Sequence, residues 1–165
     1  MAAGLVEDAG MSQEQFSTHG EPVWRDRANF IVNAALREEG RFEQLWCRQV
    51  TDCTFEVCCI PFFLYDVALG DVVETSPQAE RKYVLSGVRT RSGRYVFRAF
   101  FERRQYRFRH EVVEALKSLG ALVEWSSPSL LAVDARDAAH GQEIADYLHD
   151  QQEQEHLVYE TGKTA

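Results

Sequence analysis

The chain has 165 residues, 45% of them hydrophobic, with ten Phe, six Tyr and three Trp, enough for one domain or two small subdomains sharing a core. Its formal charge of −8 suits a soluble protein and has the wrong sign for general affinity to DNA or membranes. The longest nearly apolar run, residues 57–65, is far short of the roughly 20 residues of a membrane helix, and the acidic N-terminus lacks a secretory apolar centre, so a cytoplasmic protein with free thiols is expected.

In chain order, residues 1–27 are polar and aperiodic and are expected to form a flexible tail. Phe30-Ile31-Val32-Asn33-Ala34-Ala35-Leu36 has the content of a first strand, with a short helix as the alternative. Residues 44–59 form a hairpin, because Leu45–Val50 and Phe55–Cys59 flank a polar insert of turn size. Alternation sets Trp46 opposite Leu45 and Cys47, and puts Phe55, Val57 and Cys59 on one face. Pro61 cannot donate to a ladder, so the strand ends there. Phe62 and Phe63 then drop into the core.

Leu69-Gly70-Asp71 is a tight turn into Val72-Val73. Residues 76–80 are a loop, and residues 82–89 and 95–101 are alternating strands joined as a hairpin by Arg91-Ser92-Gly93. A helix follows over 107–119, with Val112, Val113, Leu116 and Leu119 at helical spacing and Gly120 as its stop. Strands at 122–125 and 130–134 flank the Ser126–Ser129 turn. A second helix over 137–152 turns Ile144, Tyr147 and Leu148 inward, and a strand at 157–159 closes the chain. The fold class is α+β. A strand-rich, barrel-like subdomain (28–91) precedes a ferredoxin-like β-α-β-β-α-β subdomain (92–161).

The segment Cys59-Ile60-Pro61-Phe62-Phe63, followed by Val67-Ala68-Leu69-Gly70-Asp71-Val72-Val73 and preceded by Leu45-Trp46, resembles a bacterial family catalogued as domain of unknown function 4265. The likeness runs over residues 29–159. It implies a small soluble bacterial protein, and it transfers no activity and no functional residue.

The chemistry is therefore read from the residues alone. The spacings of Cys47, Cys53, Cys58 and Cys59 contain no CxxC knuckle, so buried small hydrophobes are expected rather than a metal or redox site. In His110-Glu111-Val112-Val113-Glu114 a glutamate stands where a zinc-protease helix has its second histidine. His140 and His149 fall on opposite sides of their helix, and His156 adds no ligand set. Neither a cofactor nor a metal is expected. Asp66 and Asp71 are candidate cleft acids, Asp71 doubling as a turn residue.

Charge is unevenly distributed. Residues 81–109 carry ten basic side chains and one acid, between flanking blocks of net −9 and −8. Arg89, Arg91, Arg94, Arg98, Arg103, Arg104, Arg107 and Arg109, interleaved with aromatics, form the candidate binding surface. Tyr95, Phe97, Ala99 and Phe101 share one strand face. If helices cover that face, Arg98 stands on the open side.

Three function classes remain. The first expectation is a non-enzymatic module that binds another protein, in the manner of an immunity or antitoxin protein. The alternative is a nucleic-acid or ribosome-associated module using the arginine band. The third is a ligand sensor or enzyme with a pocket between the two halves, which requires Asp66, Asp71 and the arginines to converge. No membrane partner is expected, and the sequence leaves oligomeric state open.

Overall fold

The computed structural model describes residues 13–163. Ten strands form two sheets, and two helices cover one of them. The first sheet contains β1 (Gln15–Ser17), β2 (Phe30–Ala35), β3 (Arg41–Gln49), β4 (Thr54–Val57), β5 (Val72–Gln78) and β6 (Arg81–Thr90). Strand β4 pairs with both β5 and β3, so β2 to β6 close into a five-stranded ring. The closing contact is a parallel pairing of β2 with β6 at Asn33 and Val84. Closure removes most free edges. The alternating apolar residues Val32, Ala34, Leu45, Cys47, Phe55, Val57 and Val73 fill its interior.

The second sheet runs β10-β7-β9-β8, every neighbouring pair antiparallel. Its strands are β7 (Tyr95–Phe100), β8 (Leu122–Ser127), β9 (Leu130–Ala135) and β10 (Val158–Thr161). With helices α1 (Arg109–Ser118) and α2 (Ala138–Glu153), the order over this half is β-α-β-β-α-β. Phe97, Ala99 and Phe101 pack on Val112, Leu116, Ile144 and Leu148 beneath the helices. Asp137 caps α2, its Oδ1 accepting from His140 N at 2.8 Å. His140 Nε2 donates to Leu119 O at 2.7 Å, joining the start of α2 to the end of α1.

The irregular stretch between β4 and β5 joins the halves. Ile60, Phe62 and Ala68 pack against Val96 and Ala132 on the helix-free face of the second sheet. Cys59, Leu64 and Val67 of the same stretch plug the barrel. Gly70 turns the chain back at φ +81°, where a Cβ would stand 3.1 Å from Ser92 Cβ.

Several sequence expectations change here. The described part of residues 1–27 is not loose: β1 pairs with β3, His19 is buried, and Trp24 N donates to Cys58 O at 3.1 Å. The rest of that expected tail lies outside the described residues. Residues 76–78 continue β5 instead of forming a loop, and the turn falls at Ala79, φ +53°.

Arg91-Ser92-Gly93 is not a hairpin turn, because β6 and β7 lie in different sheets. Ser92 N donates to Asp71 Oδ1 at 2.8 Å and Ser92 Oγ to Leu69 O at 2.7 Å, so the link is tied to the Gly70 turn instead. Phe62 is buried, but Phe63 is only half-buried, its ring facing Arg41 at 6.0 Å.

Candidate functional site: a charged cleft beside a buried clasp

Two polar constellations flank the irregular stretch. The first is buried. Glu43 lies on the inward face of β3, in line with Leu45 and Cys47, and Glu124 lies on the helix-free face of β8, opposite Ala132. Between them is His19, with Nε2 2.9 Å from Glu43 Oε1 and Nδ1 2.9 Å from Glu124 Oε1. The imidazole stacks on Phe62 at 3.9 Å.

A neutral ring has one N–H, whereas both nitrogens here face carboxylate oxygens, so the geometry calls for imidazolium. Burial opposes that charge, but hydrogen bonds with Cys59, Glu124 and Glu43 outweigh it and raise the His19 pKa from 6.5 to about 12. Burial also pushes the Cys59 thiol up to about 12, against the pull of His19. With both nitrogens donating, no ring lone pair is left for a metal.

The carboxylates also accept from the irregular stretch itself. Phe62 N donates to Glu43 Oε1 at 2.5 Å and Phe63 N to Glu43 Oε2 at 3.2 Å. Ile60 N donates to Glu124 Oε2 at 2.5 Å. Backbone N–H groups stranded on either side of Pro61 thus find charged acceptors instead of remaining unpaired in the core. The clasp fixes the chain and is closed to solvent, so its role is positional.

The second constellation is open. A cleft of about 370 Å³ runs between the barrel and the ends of β7 and β10. Asp66, Val67, Ala68 and Asp71 form one wall, and Arg91, Gly93, Arg94, Tyr95, Val96, Gly162 and Lys163 form the other. Asp71 is committed: its carboxylate accepts from Ala68 N at 2.9 Å and Ser92 N at 2.8 Å, with Arg91 Nη1 3.6 Å away.

Asp66 holds φ +62°. Its N–H donates to Gly162 O at 2.7 Å and its carbonyl accepts from Arg91 Nη1. Arg94 clamps Asp134, Nη2 to Oδ2 at 2.5 Å; burial raises the Asp134 pKa and Arg94 pulls against that rise. Lys163 Nζ sits 3.9 Å from the Tyr95 ring centroid and pairs with no carboxylate among the described residues. Arg91 is 61% exposed, so two cations face the opening.

Of the candidate residues from the sequence, Asp66, Asp71, Arg91 and Arg94 therefore meet, and the rest of the arginine band does not join them. Arg94 and Arg103 stand at opposite ends of β7, a separation of roughly 20 Å at about 3.3 Å per residue. Arg89 pairs with Glu74 at 3.0 Å and Arg104 with Glu102 at 2.8 Å. Arg109 donates to Tyr106 O and Pro128 O, and Arg107 lies over Phe108 at 4.7 Å.

Arg98 is not on an open side. It is 3% exposed, because the irregular stretch covers the face that the helices leave bare. Its Nη2 donates to Leu64 O, its Nη1 lies 3.5 Å from Glu160, and the Tyr65 ring is 4.9 Å away. Its Nε has no partner among the described residues.

The clasp went unread in the sequence. Glu43 and Glu124 carried one signal, an acid at an inward position of an alternating strand. His19 carried none, being in an aperiodic polar segment.

The model of the family described as Domain of unknown function (DUF4265) matches residues 43–159, well over half of the chain. The chain belongs to this family. The DUF4265 match includes Glu43, Glu124 and most of the cleft, and begins after His19. No curated protein matches. A solved structure described as a hypothetical protein from Neisseria gonorrhoeae is similar at TM-score 0.64 and 15% identity, covering 82% of this chain and 96% of that one. At that identity the likeness shows the fold alone. Among the described residues, no helix is long and apolar enough to cross a membrane.

Proposed function

We propose that this protein works by binding, without catalysis, and that the cleft between its two halves receives an anionic group. The observation that carries this reading is the convergence of Arg91 and Lys163 on one opening, beside Asp71, whose carboxylate is already occupied by backbone N–H groups. The cleft volume of about 370 Å³ lies at the lower end of small-ligand sites. Asp71 is held by two backbone N–H groups and Arg94 by Asp134, which favours recognition over proton-transfer chemistry.

A carboxylate or phosphate would be held by the Arg91 fork and the Lys163 point charge. A partner protein presenting such a group on a side chain would be held by the same two cations, which is how an immunity-type role would use this site. The arginine band supports nucleic-acid binding less well, because Arg89, Arg94, Arg98 and Arg104 already pair with carboxylates.

The test is calorimetry with small dicarboxylates and phosphate monoesters, on wild type and on Arg91→Gln/Lys163→Gln. Saturable binding that the double variant loses, while it unfolds at the wild-type temperature, supports the site. Equal binding by both proteins, or none by either, removes it.

A further inference from the structure

A second concave surface lies on the outside of the barrel, away from the cleft. Strands β2 and β6 run parallel but pair only at Asn33 and Val84. Before that pair they part, and the gap is a groove of about 410 Å³ lined by Ala28, Asn29, Phe30, Ile31, Trp46 and Tyr83. Ile31 is 38% exposed, and Trp46 pairs with it across the ladder. Phe30 meets Tyr83 edge-on at 4.6 Å, which fixes the Tyr83 ring from behind.

The rims are cationic. Arg25 lies over the Trp46 ring at 5.6 Å and Lys82 over the Tyr83 ring at 5.3 Å, so each ring has a cation on one face. Arg27 and Arg48 share a single acid, Glu56, at 2.6 and 3.3 Å, which leaves that pair of arginines with one charge in excess. Asp26 is the acid nearest in sequence, within the Arg25–Arg27 turn.

We propose that this groove binds single-stranded nucleic acid, its bases stacking on Trp46 and Tyr83 and its phosphates meeting Arg25, Lys82 and the Arg27–Arg48 pair. Aromatic faces set in a cationic channel are what unpaired bases and their backbone require. The overall charge of −8 does not forbid it, since screening confines the relevant field to about 10 Å. An apolar peptide would fill the groove but give Arg25, Lys82 and the excess charge of the Arg27–Arg48 pair nothing to meet. The site is separate from the arginine band and independent of the cleft.

The test is fluorescence anisotropy of the full chain with labelled dT and rU strands of about twelve nucleotides, at roughly 50 and 200 mM KCl. Saturable binding that weakens with salt is expected. Trp46→Ala should weaken it at least about fivefold. Ile31→Glu, which sets a negative charge at an exposed position of the lining, should abolish it. Arg103→Gln/Arg107→Gln and Arg91→Gln should leave it unchanged.

Absence of binding at the lower salt overturns the proposal. So does undiminished binding by Ile31→Glu, or binding lost only when Arg103 and Arg107 are neutralised. Melting curves recorded on every variant separate loss of the groove from loss of the fold.

Discussion

Replacing His19 by alanine should be among the most damaging single changes to this protein. The side chains of His19 and Glu43 are 0% exposed and that of Glu124 2%, so water cannot replace the ring. Two charge-assisted contacts of 2.9 Å vanish, and two carboxylates are left with backbone N–H donors alone. Breaking a buried ion pair by removing one partner costs about 3–5 kcal/mol. A domain of this size shifts its Tm by roughly 2–4 °C per kcal/mol, so a fall of about 6–20 °C is expected.

The same ring sets a pH dependence. The folded pKa of His19, about 12, exceeds its unfolded value near 6.5. Its contribution is therefore complete below pH 6.5 and is lost progressively as pH rises toward 12. Within that window one group changes stability by about 1.4 kcal/mol per pH unit. Cys59, raised from 9.0 to about 12, adds loss of the same sign above pH 9. Urea denaturation of wild type and His19→Ala at pH 6, 7.5 and 9 measures both effects. If the variant lies within about 1 kcal/mol of wild type at pH 6, or the two curves run parallel from pH 6.5 to 9, the imidazolium clasp is refuted.

Phe62→Ala, at a buried ring stacked on His19, should cost about 3–5 kcal/mol by urea denaturation. The half-buried Phe63 should cost less than half as much, and equal losses would contradict the packing. Gly162→Ala would set a Cβ 3.0 Å from Val96 Cβ and 3.3 Å from Val96 O, so about 1–3 kcal/mol should be lost; an unchanged Tm would show that the cleft wall yields. Arg98→Met keeps the buried stem and removes the unpartnered Nε together with the Nη2 bond to Leu64 O and the Nη1 contact with the half-exposed Glu160. Its stability should match or exceed that of wild type, whereas Arg98→Ala should destabilise through lost packing, a contrast that paired melting curves would show.

Much of the fold was legible in the sequence because the signals were local. The Leu45–Cys47 and Phe55–Val57 alternation fixed a hairpin, now β3 and β4. The 3.6-residue spacing through Leu116 and through Ile144 and Leu148 fixed two helices, and Gly70 and Asp71 fixed a turn. Each depends on neighbours a few residues apart, so composition and period suffice. The four candidate residues that reach the cleft were nameable only as charged groups near turns. Nothing local says that the link holding Arg91 and Arg94 docks on the turn holding Asp71.

What only tertiary structure decided was partnership across distance. β6 and β7 look like a hairpin in sequence yet enter different sheets, because Ser92 is bound to Asp71 and Leu69 rather than to its own strands. Arg98 looked solvent-facing by alternation, yet the irregular stretch covers that second face. His19 and Glu124 are 105 residues apart, and no period or motif spans such a gap. The sequence by itself determined where strands, helices and apolar faces lie, since those follow from backbone geometry and burial. Which faces meet, and so which charges are clasped inside and which are left at an opening, was decided by packing the two halves on either side of residues 58–71.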